Sequence, residues 1–365
     1  MRLTACSATQ FAGWLALCTL GLLGFCDGCP VACQCTRKTS AKRSVVSCHK
    51  RGLTTFPTGL PRDTWIIKMG ENILQDLPAN ILKPFPKIES INLERNSIKS
   101  IHPQAFTGGR KLILLNLYGN KINKLPKKGF QDLLNLRFLM LGQNQISTIG
   151  PEMFSGMRNL SDLDMPANAL TALPANGFKP LVALKVLDLA LNQIHKLSPK
   201  SFVGLQKLLF LNLDSNRLKT IPHGVFQPLG ALQTLVLENN LLRTMSVSAL
   251  DGLSTLKELY LRNNEIEMLP GSLFRHTPQL TQLALSGNRL VALDGTLLAQ
   301  LPELREAYLH DNPWQCDCGI APLVRWILRG RAGRSPTGAP KCAAPAALRG
   351  RALSRLPADA LKCRA

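Results

Sequence analysis

Residues 184–197 read Leu184-Lys185-Val186-Leu187-Asp188-Leu189-Ala190-Leu191-Asn192-Gln193-Ile194-His195-Lys196-Leu197. Leu187 and Leu189 alternate with Val186, Asp188 and Ala190, so a side-chain period of two puts the leucines on one face and the residues between them on the other. This predicts a short strand with its leucines turned inward. Ile194 and Leu197 follow Asn192 at two and five residues, returning aliphatic side chains to the same core once the strand has ended. The amide of Asn192 both donates and accepts, which suits it to satisfying buried backbone groups of adjacent turns.

The arrangement recurs in both directions. Asparagine stands at 72, 96, 120, 144, 168, 192, 216, 240, 264, 288 and 312, in steps of 24 with no slip. Three residues before each comes leucine or methionine, and five before comes an aliphatic residue, from Ile67 to Leu283, shrinking to Ala307 in the last unit. Phe106, Phe130, Phe154, Phe178, Phe202, Phe226 and Phe274 stand ten residues after their asparagines, a spacing that predicts an aromatic spine on the wider side of a curved array. The pattern L-x-x-L-x-L-x-x-N-x-L at this period resembles that of leucine-rich repeat proteins. The resemblance implies an α/β solenoid in the form of a horseshoe, with a parallel β-sheet on the concave face and short helical or irregular convex segments. Eleven strands at about 4.8 Å spacing make an inner arc of about 50 Å.

Such an array leaves its core open at both ends, where the cysteines fall. Four stand at Cys29, Cys33, Cys35 and Cys48, and four at Cys316, Cys318, Cys342 and Cys363. Zinc is the rival to disulfides for such clusters, but Cys-x-Cys spacing departs from the usual zinc knuckle. The two clusters resemble the caps of extracellular leucine-rich repeat proteins, the second through Asn312-Pro313-Trp314-Gln315-Cys316-Asp317-Cys318. That family includes chondroadherin, leucine-rich alpha-2-glycoprotein, platelet glycoprotein V and the carboxypeptidase N regulatory subunit. The resemblance implies the pairs Cys29–Cys35, Cys33–Cys48, Cys316–Cys342 and Cys318–Cys363. Residues 1–28, with Arg2 ahead of an apolar stretch from Phe11 to Phe25, read as a signal peptide. The expected division is then an N-terminal cap over 29–64, repeats over 65–312 and a C-terminal cap over 313–365. No later stretch reads as a membrane anchor, so a secreted chain of the extracellular space or matrix is expected.

Of 365 residues 45% are hydrophobic and 18% charged, which excludes a disordered polyampholyte. The formal net charge is +21. Its distribution is uneven. The positions six, four and two before each asparagine should project from the concave face, and there eight acids meet two bases, a net −6. Tyr118, Phe138, Met140, Asp162, Asp164, Asp188, Phe210, Asp214, Glu238, Tyr260 and Tyr308 are the candidate partner-binding residues of that face. Asp164 and Asp188 should stand on adjacent strands, where like charges repel, with Asp162 and Asp214 as close neighbours. Aromatics beside charge are a common composition for a binding patch.

The positive charge lies elsewhere. Arg110, Lys111, Lys121, Lys124, Lys127 and Lys128 gather around one repeat, and Arg325, Arg329, Arg331, Arg334, Arg349 and Arg351 cover the C-terminal cap. In an extracellular setting both are candidate sites for heparan sulfate or another glycosaminoglycan. No nucleic-acid reading motif is present. Asn159-Leu160-Ser161 is a glycosylation sequon. The histidines show no metal-ligand spacing, and no nucleophile motif or phosphate loop appears, so neither an enzyme nor a cofactor is expected. The function these features support is a secreted protein-binding scaffold with an acidic, aromatic concave face and basic flanks. The alternatives are a soluble carrier or regulatory subunit of another secreted protein, or an innate immune recognition molecule.

Overall fold

The computed structural model describes residues 29–38, 43–329 and 338–357. One sheet of thirteen strands runs the length of the molecule. The first two, β1 (Gln34–Lys38) and β2 (Arg43–Ser47), form an antiparallel hairpin. The remaining eleven are parallel: β3 (Thr64–Lys68), β4 (Ser90–Asn92), β5 (Leu114–Asn116), β6 (Phe138–Met140), β7 (Asp162–Asp164), β8 (Val186–Asp188), β9 (Phe210–Asn212), β10 (Thr234–Val236), β11 (Glu258–Tyr260), β12 (Gln282–Ala284) and β13 (Glu306–Tyr308). From β4 to β13 the register pairs each residue with the one 24 positions on, as in Asp164 with Asp188 and Leu187 with Leu211. The inward residues Leu163, Leu187, Leu211 and Leu235 are buried, while their neighbours on the other face are half-buried.

Three devices stack one turn on the next. The periodic asparagines form a ladder: Asn168 donates from Nδ2 to the Leu141 and Met165 carbonyls (2.9 and 3.2 Å) and accepts at Oδ1 from the Ile146 N–H (2.9 Å). The same three bonds recur along the array, so each amide closes backbone groups of its own turn and of the previous one. The phenylalanine spine is fully buried, with ring pairs Phe106–Phe130, Phe154–Phe178 and Phe202–Phe226 stacked at 5.5–5.9 Å between centroids. The third device is not visible in the residue pattern. The residue just before every ladder asparagine is left-handed, yet only Gly119 and Gly287 are glycine; Leu191 adopts φ 55° and Ala167 φ 53°. A left-handed conformation costs a non-glycine residue about 1–2 kcal/mol. The ladder holds it in place, as when the Leu191 N–H donates to the Asp214 carbonyl at 2.9 Å.

Caps close both ends. Disulfides Cys29–Cys35 and Cys33–Cys48 tie the hairpin over the first repeat. At the far end Trp314 is fully buried and donates from Nε1 to the Leu309 carbonyl at 2.9 Å. Helices α1 (Gly295–Ala299) and α2 (Ala321–Leu328) pack there, and Cys316 is bonded to Cys342. Cys318 is also disulfide-bonded. Cys363, Arg331, Arg334 and the signal-peptide stretch lie outside the described residues. Most convex segments are turns rather than helices, one being the 3-10 turn Pro151–Phe154. With 24 residues per turn, little chain is left for a full helix once the strand and both flanks are built.

Candidate functional site

The parallel register brings the outward residues into three rows along the concave face. One row runs Leu114, Phe138, Asp162, Val186, Phe210 and Thr234. It is mostly apolar, and Phe138 is exposed while Phe210 is half-buried. Leu114 and Val186 belong to this apolar stripe and were not singled out in the sequence, because an aliphatic residue in a leucine-rich chain carries no distinguishing signal.

The middle row holds Asn116, Met140, Asp164, Asp188, Asn212 and Val236. Burial, and secondarily the charge of Asp188, pushes the Asp164 carboxyl up to about 6. Its Oδ1 is shielded and has no hydrogen-bond partner among the described residues. Asp188 is also raised by burial, although it accepts from the Ala190 N–H at 2.9 Å. Glu238 is raised too, by burial before the opposing pull of Arg262. Asp214 accepts from Asn239 Nδ2 (2.7 Å) and Ser215 Oγ (2.9 Å). Its charge acts on Asp188 and Glu238, so Asp164 and Asp188 of the middle row and Asp214 and Glu238 of the third form one chain of mutually repelling carboxylates. Asp162 and Asp214, expected beside the Asp164–Asp188 pair, flank it on its two sides. β8 lies between their strands, and the two residues stand in opposite outer rows.

A glycine in the third row lets this region close up. Gly142 has no side chain to present, and a β-carbon there would stand 2.8 Å from Asp164 Oδ1 and 3.0 Å from the Tyr118 ring. Tyr118 and Asp164 therefore pack against the Gly142 backbone from either side, with Met140 on the strand that leads to it. Two carboxylates, an aromatic face and a thioether make a surface suited to a cationic side chain with an aliphatic stem.

The C-terminal half of the face is arranged differently. Tyr308, expected as a projecting residue, is buried, because Arg262 lies across its ring at 4.4 Å and its hydroxyl donates to Glu306 Oε2 at 3.0 Å. Tyr260 donates to Glu258 Oε2 (3.3 Å) and Gln282 Oε1 (3.1 Å), and burial beside Glu258 pushes its phenol up to about 12. Arg262 Nε also faces Glu238 Oε1 at 3.5 Å. Tyr260 and Tyr308 are thus parts of an internal polar network joined through Gln282, and Arg262 and Gln282 are its members outside the candidate partner-binding residues.

The basic cluster around one repeat is divided by the sheet. Arg110 and Lys111 precede β5 on the leading flank, whereas Lys121 and Lys124 follow it on the trailing flank and Lys127 and Lys128 begin the convex side. A turn of this length closes on itself, so residues ten before and four after the asparagine emerge at opposite edges of the sheet. Lys127 pairs with Glu152 at 3.3 Å. In the C-terminal cap Arg325, Arg329, Arg349 and Arg351 are all exposed. Arg325 and Arg329 border a groove of about 700 Å³ between α1 and α2, floored by Leu298, Leu301 and Trp326. Asn159 is exposed and donates to the Leu134 carbonyl at 2.8 Å. Among the described residues no cluster of His, Cys, Asp and Glu could hold a metal ion. No helix there is long and apolar enough to cross a membrane.

Comparison with known proteins agrees with this architecture. The family model described as leucine rich repeat matches successive segments that together run over 67–313, and the leucine rich repeat N-terminal domain model matches 28–61. The chain is 32% identical over 106 residues to leucine-rich repeat-containing protein 3 of Danio rerio, covering 29% of this chain and 39% of the relative. It is 36% identical over 76 residues to podocan of Mus musculus, covering 20% of this chain and 12% of the relative. The chain therefore spans well under half the length of these relatives. Among solved structures, one titled as an octameric complex of Latrophilin 3, Unc5D and FLRT2 contains a chain with TM-score 0.75 and 26% identity, covering 92% of this chain and 100% of that one. A leucine-rich repeat protein of Leptospira interrogans aligns with TM-score 0.58 and 27% identity over 74% of each chain.

Proposed function

The chain belongs to the leucine-rich repeat family, and from that premise we propose that it is an extracellular protein-binding scaffold whose concave face takes a basic segment of a protein partner. The observation that carries this reading is Asp164, held beside Asp188 with a shielded carboxylate oxygen that no group among the described residues satisfies. A lysine or arginine from a partner would neutralise the pair, and Tyr118, Met140 and Phe138 would pack along its stem. Disulfides in both caps support an oxidising compartment. The exposed bases support a second attachment, to a sulfated polysaccharide of the matrix. The chemistry is recognition rather than catalysis.

The test begins with crosslinking and mass spectrometry on conditioned medium and matrix to capture a partner, followed by affinity measurements on variants. Asp164→Asn with Asp188→Asn should weaken binding by about 100-fold, on the scale of a desolvated charge pair. Tyr260→Phe should leave binding within about twofold, as expected away from the contact centre. Unchanged affinity in the double variant would remove the concave site.

A second reading is a carrier or regulatory subunit in a stable stoichiometric complex. The likeness to the FLRT2-containing assembly supports it. Co-elution with one partner at fixed stoichiometry from serum or medium would favour it, and retention in matrix until salt or heparin is added would favour the first.

A further inference from the structure

The segments that lead into the strands stack in register. The backbone N–H of Arg137 donates to the Ile113 carbonyl, Ser161 to Arg137, Lys185 to Ser161 and Leu209 to Lys185, all at 2.8–2.9 Å. Each of these residues stands seven before its ladder asparagine. Side chains seven to ten residues before the asparagines therefore form a continuous ridge along one rim of the sheet, at the strand spacing of about 4.8 Å.

Over five successive repeats, 110–113, 134–137, 158–161, 182–185 and 206–209, this ridge carries Arg110, Lys111, Arg137, Arg158, Lys185 and Lys207 and no acid. All six are exposed. None forms an ion pair among the described residues. The ridge has ends. The preceding segment, 86–89, sets Lys87 against Glu89, which pairs with Arg43 at 2.6 Å, so it adds no net charge, and the following one, 230–233, reads Gly-Ala-Leu-Gln and carries none.

We propose that this ridge is the polyanion site, and that its ligand is a linear sulfated polysaccharide lying along the solenoid axis across five repeats. The inference rests on the polyanion reading above and places the ligand on the leading rim instead of on the caps. Three features point to a linear chain. The cations form a row about 19 Å long rather than a rounded patch. They are unopposed, so each adds attraction for an extended ligand and repulsion for its neighbours when the ligand is absent. Their long side chains are free to adjust to successive sulfates. The acids of the middle and third concave rows, beyond the mostly apolar row that borders the ridge, would repel the same ligand and so keep it to the rim.

Two variants that each remove three charges distinguish the rim from the cap. Both are made in an Asn159→Gln background, because a glycan at that position would stand in the middle of the ridge. Binding of a heparin oligosaccharide and elution from heparin-agarose are measured for Arg137→Ser/Arg158→Ser/Lys185→Ser and for Arg325→Ser/Arg349→Ser/Arg351→Ser. At roughly fivefold per cation beside an anionic surface, the rim variant should bind about 100-fold more weakly, and the cap variant should lose less than about fivefold. Equal losses, or a larger loss from the cap, overturn the rim site and leave the polyanion reading standing. Release of the parent protein at or below physiological salt overturns both. Unchanged melting temperatures for the two variants confirm that binding alone was altered.

Discussion

At β7 and β8, Asp164 and Asp188 face each other across adjacent strands, and Asp164 keeps an oxygen that no group among the described residues satisfies. At β10 to β13, Glu258 accepts from Thr234 Oγ1 at 3.1 Å and Glu306 from the Tyr308 hydroxyl at 3.0 Å, while Glu238 Oε1 faces Arg262 Nε at 3.5 Å, although neither atom of that pair makes a hydrogen bond among the described residues. Both regions use carboxylates and tyrosines on the same scaffold. What separates them is the charge each acid faces, a like charge at Asp164 and a cation at Glu238, and that decides which of them has free energy left to gain from a cationic ligand. A half-buried acid without a partner costs stability until something neutralises it, whereas one inside a closed network has little further to gain. The acidic count of the whole concave face hides that distinction.

The largest expected effect tests whether the scaffold beneath the two regions is the same. Asn168→Ala and Asn264→Ala each remove one acceptor and two donations, leaving buried backbone groups orphaned. Each should destabilise by about 3 kcal/mol in urea titration. A marked inequality between them would break the comparison, because the regions would then differ in their foundation.

A smaller effect tests the closed network. Arg262→Ala removes the cation over Tyr308 and the partner of Glu238, and should destabilise by about 1–2 kcal/mol. A neutral result would mean that the C-terminal network is solvated and as available to a partner as the other half.

The smallest effect has the opposite sign. The Asp164 carboxyl has a folded pKa of about 6 against an unfolded 3.8, so the folded state holds its proton more tightly. Stability contributed by that proton is present below about pH 4 and is lost as pH rises towards 6. Because Asp164 is only half-buried, solvent screening reduces the cost at pH 7 to about 1 kcal/mol. Asp164→Asn should therefore raise stability by about that amount at pH 7, and the gain should vanish near pH 4. A pH-independent gain would assign it to something other than the charge. The same variant should weaken partner binding, a trade of stability against function that is common at binding sites.

Much of this architecture can be read directly from the chain. The 24-residue step places Asn168 and Asn264 on one ladder, Phe154 and Phe178 on one spine, and Asp164 opposite Asp188, since a strict repeat turns sequence distance into spatial adjacency. The misses have physical causes. Tyr308 was expected to project, yet an arginine two strands away in register folds over it, and side-chain conformation has no period. Lys121 and Lys124 were grouped with Arg110 and Lys111 by proximity in the chain, although the sheet stands between them. The rim of Arg137, Arg158 and Lys185 was overlooked for the converse reason: its members are far apart in sequence and adjacent only once the turns are stacked.

The periodic leucines and asparagines by themselves determined the solenoid, its strand register and its buried spine, because each repeat can bury its apolar face only against an identical neighbour. Tertiary structure alone decided which surface carboxylates are paired, which tyrosines are sealed inward and which cations line one rim. Those outcomes depend on side chains meeting across turns and on how much water each keeps, and neither is written in the spacing of the residues.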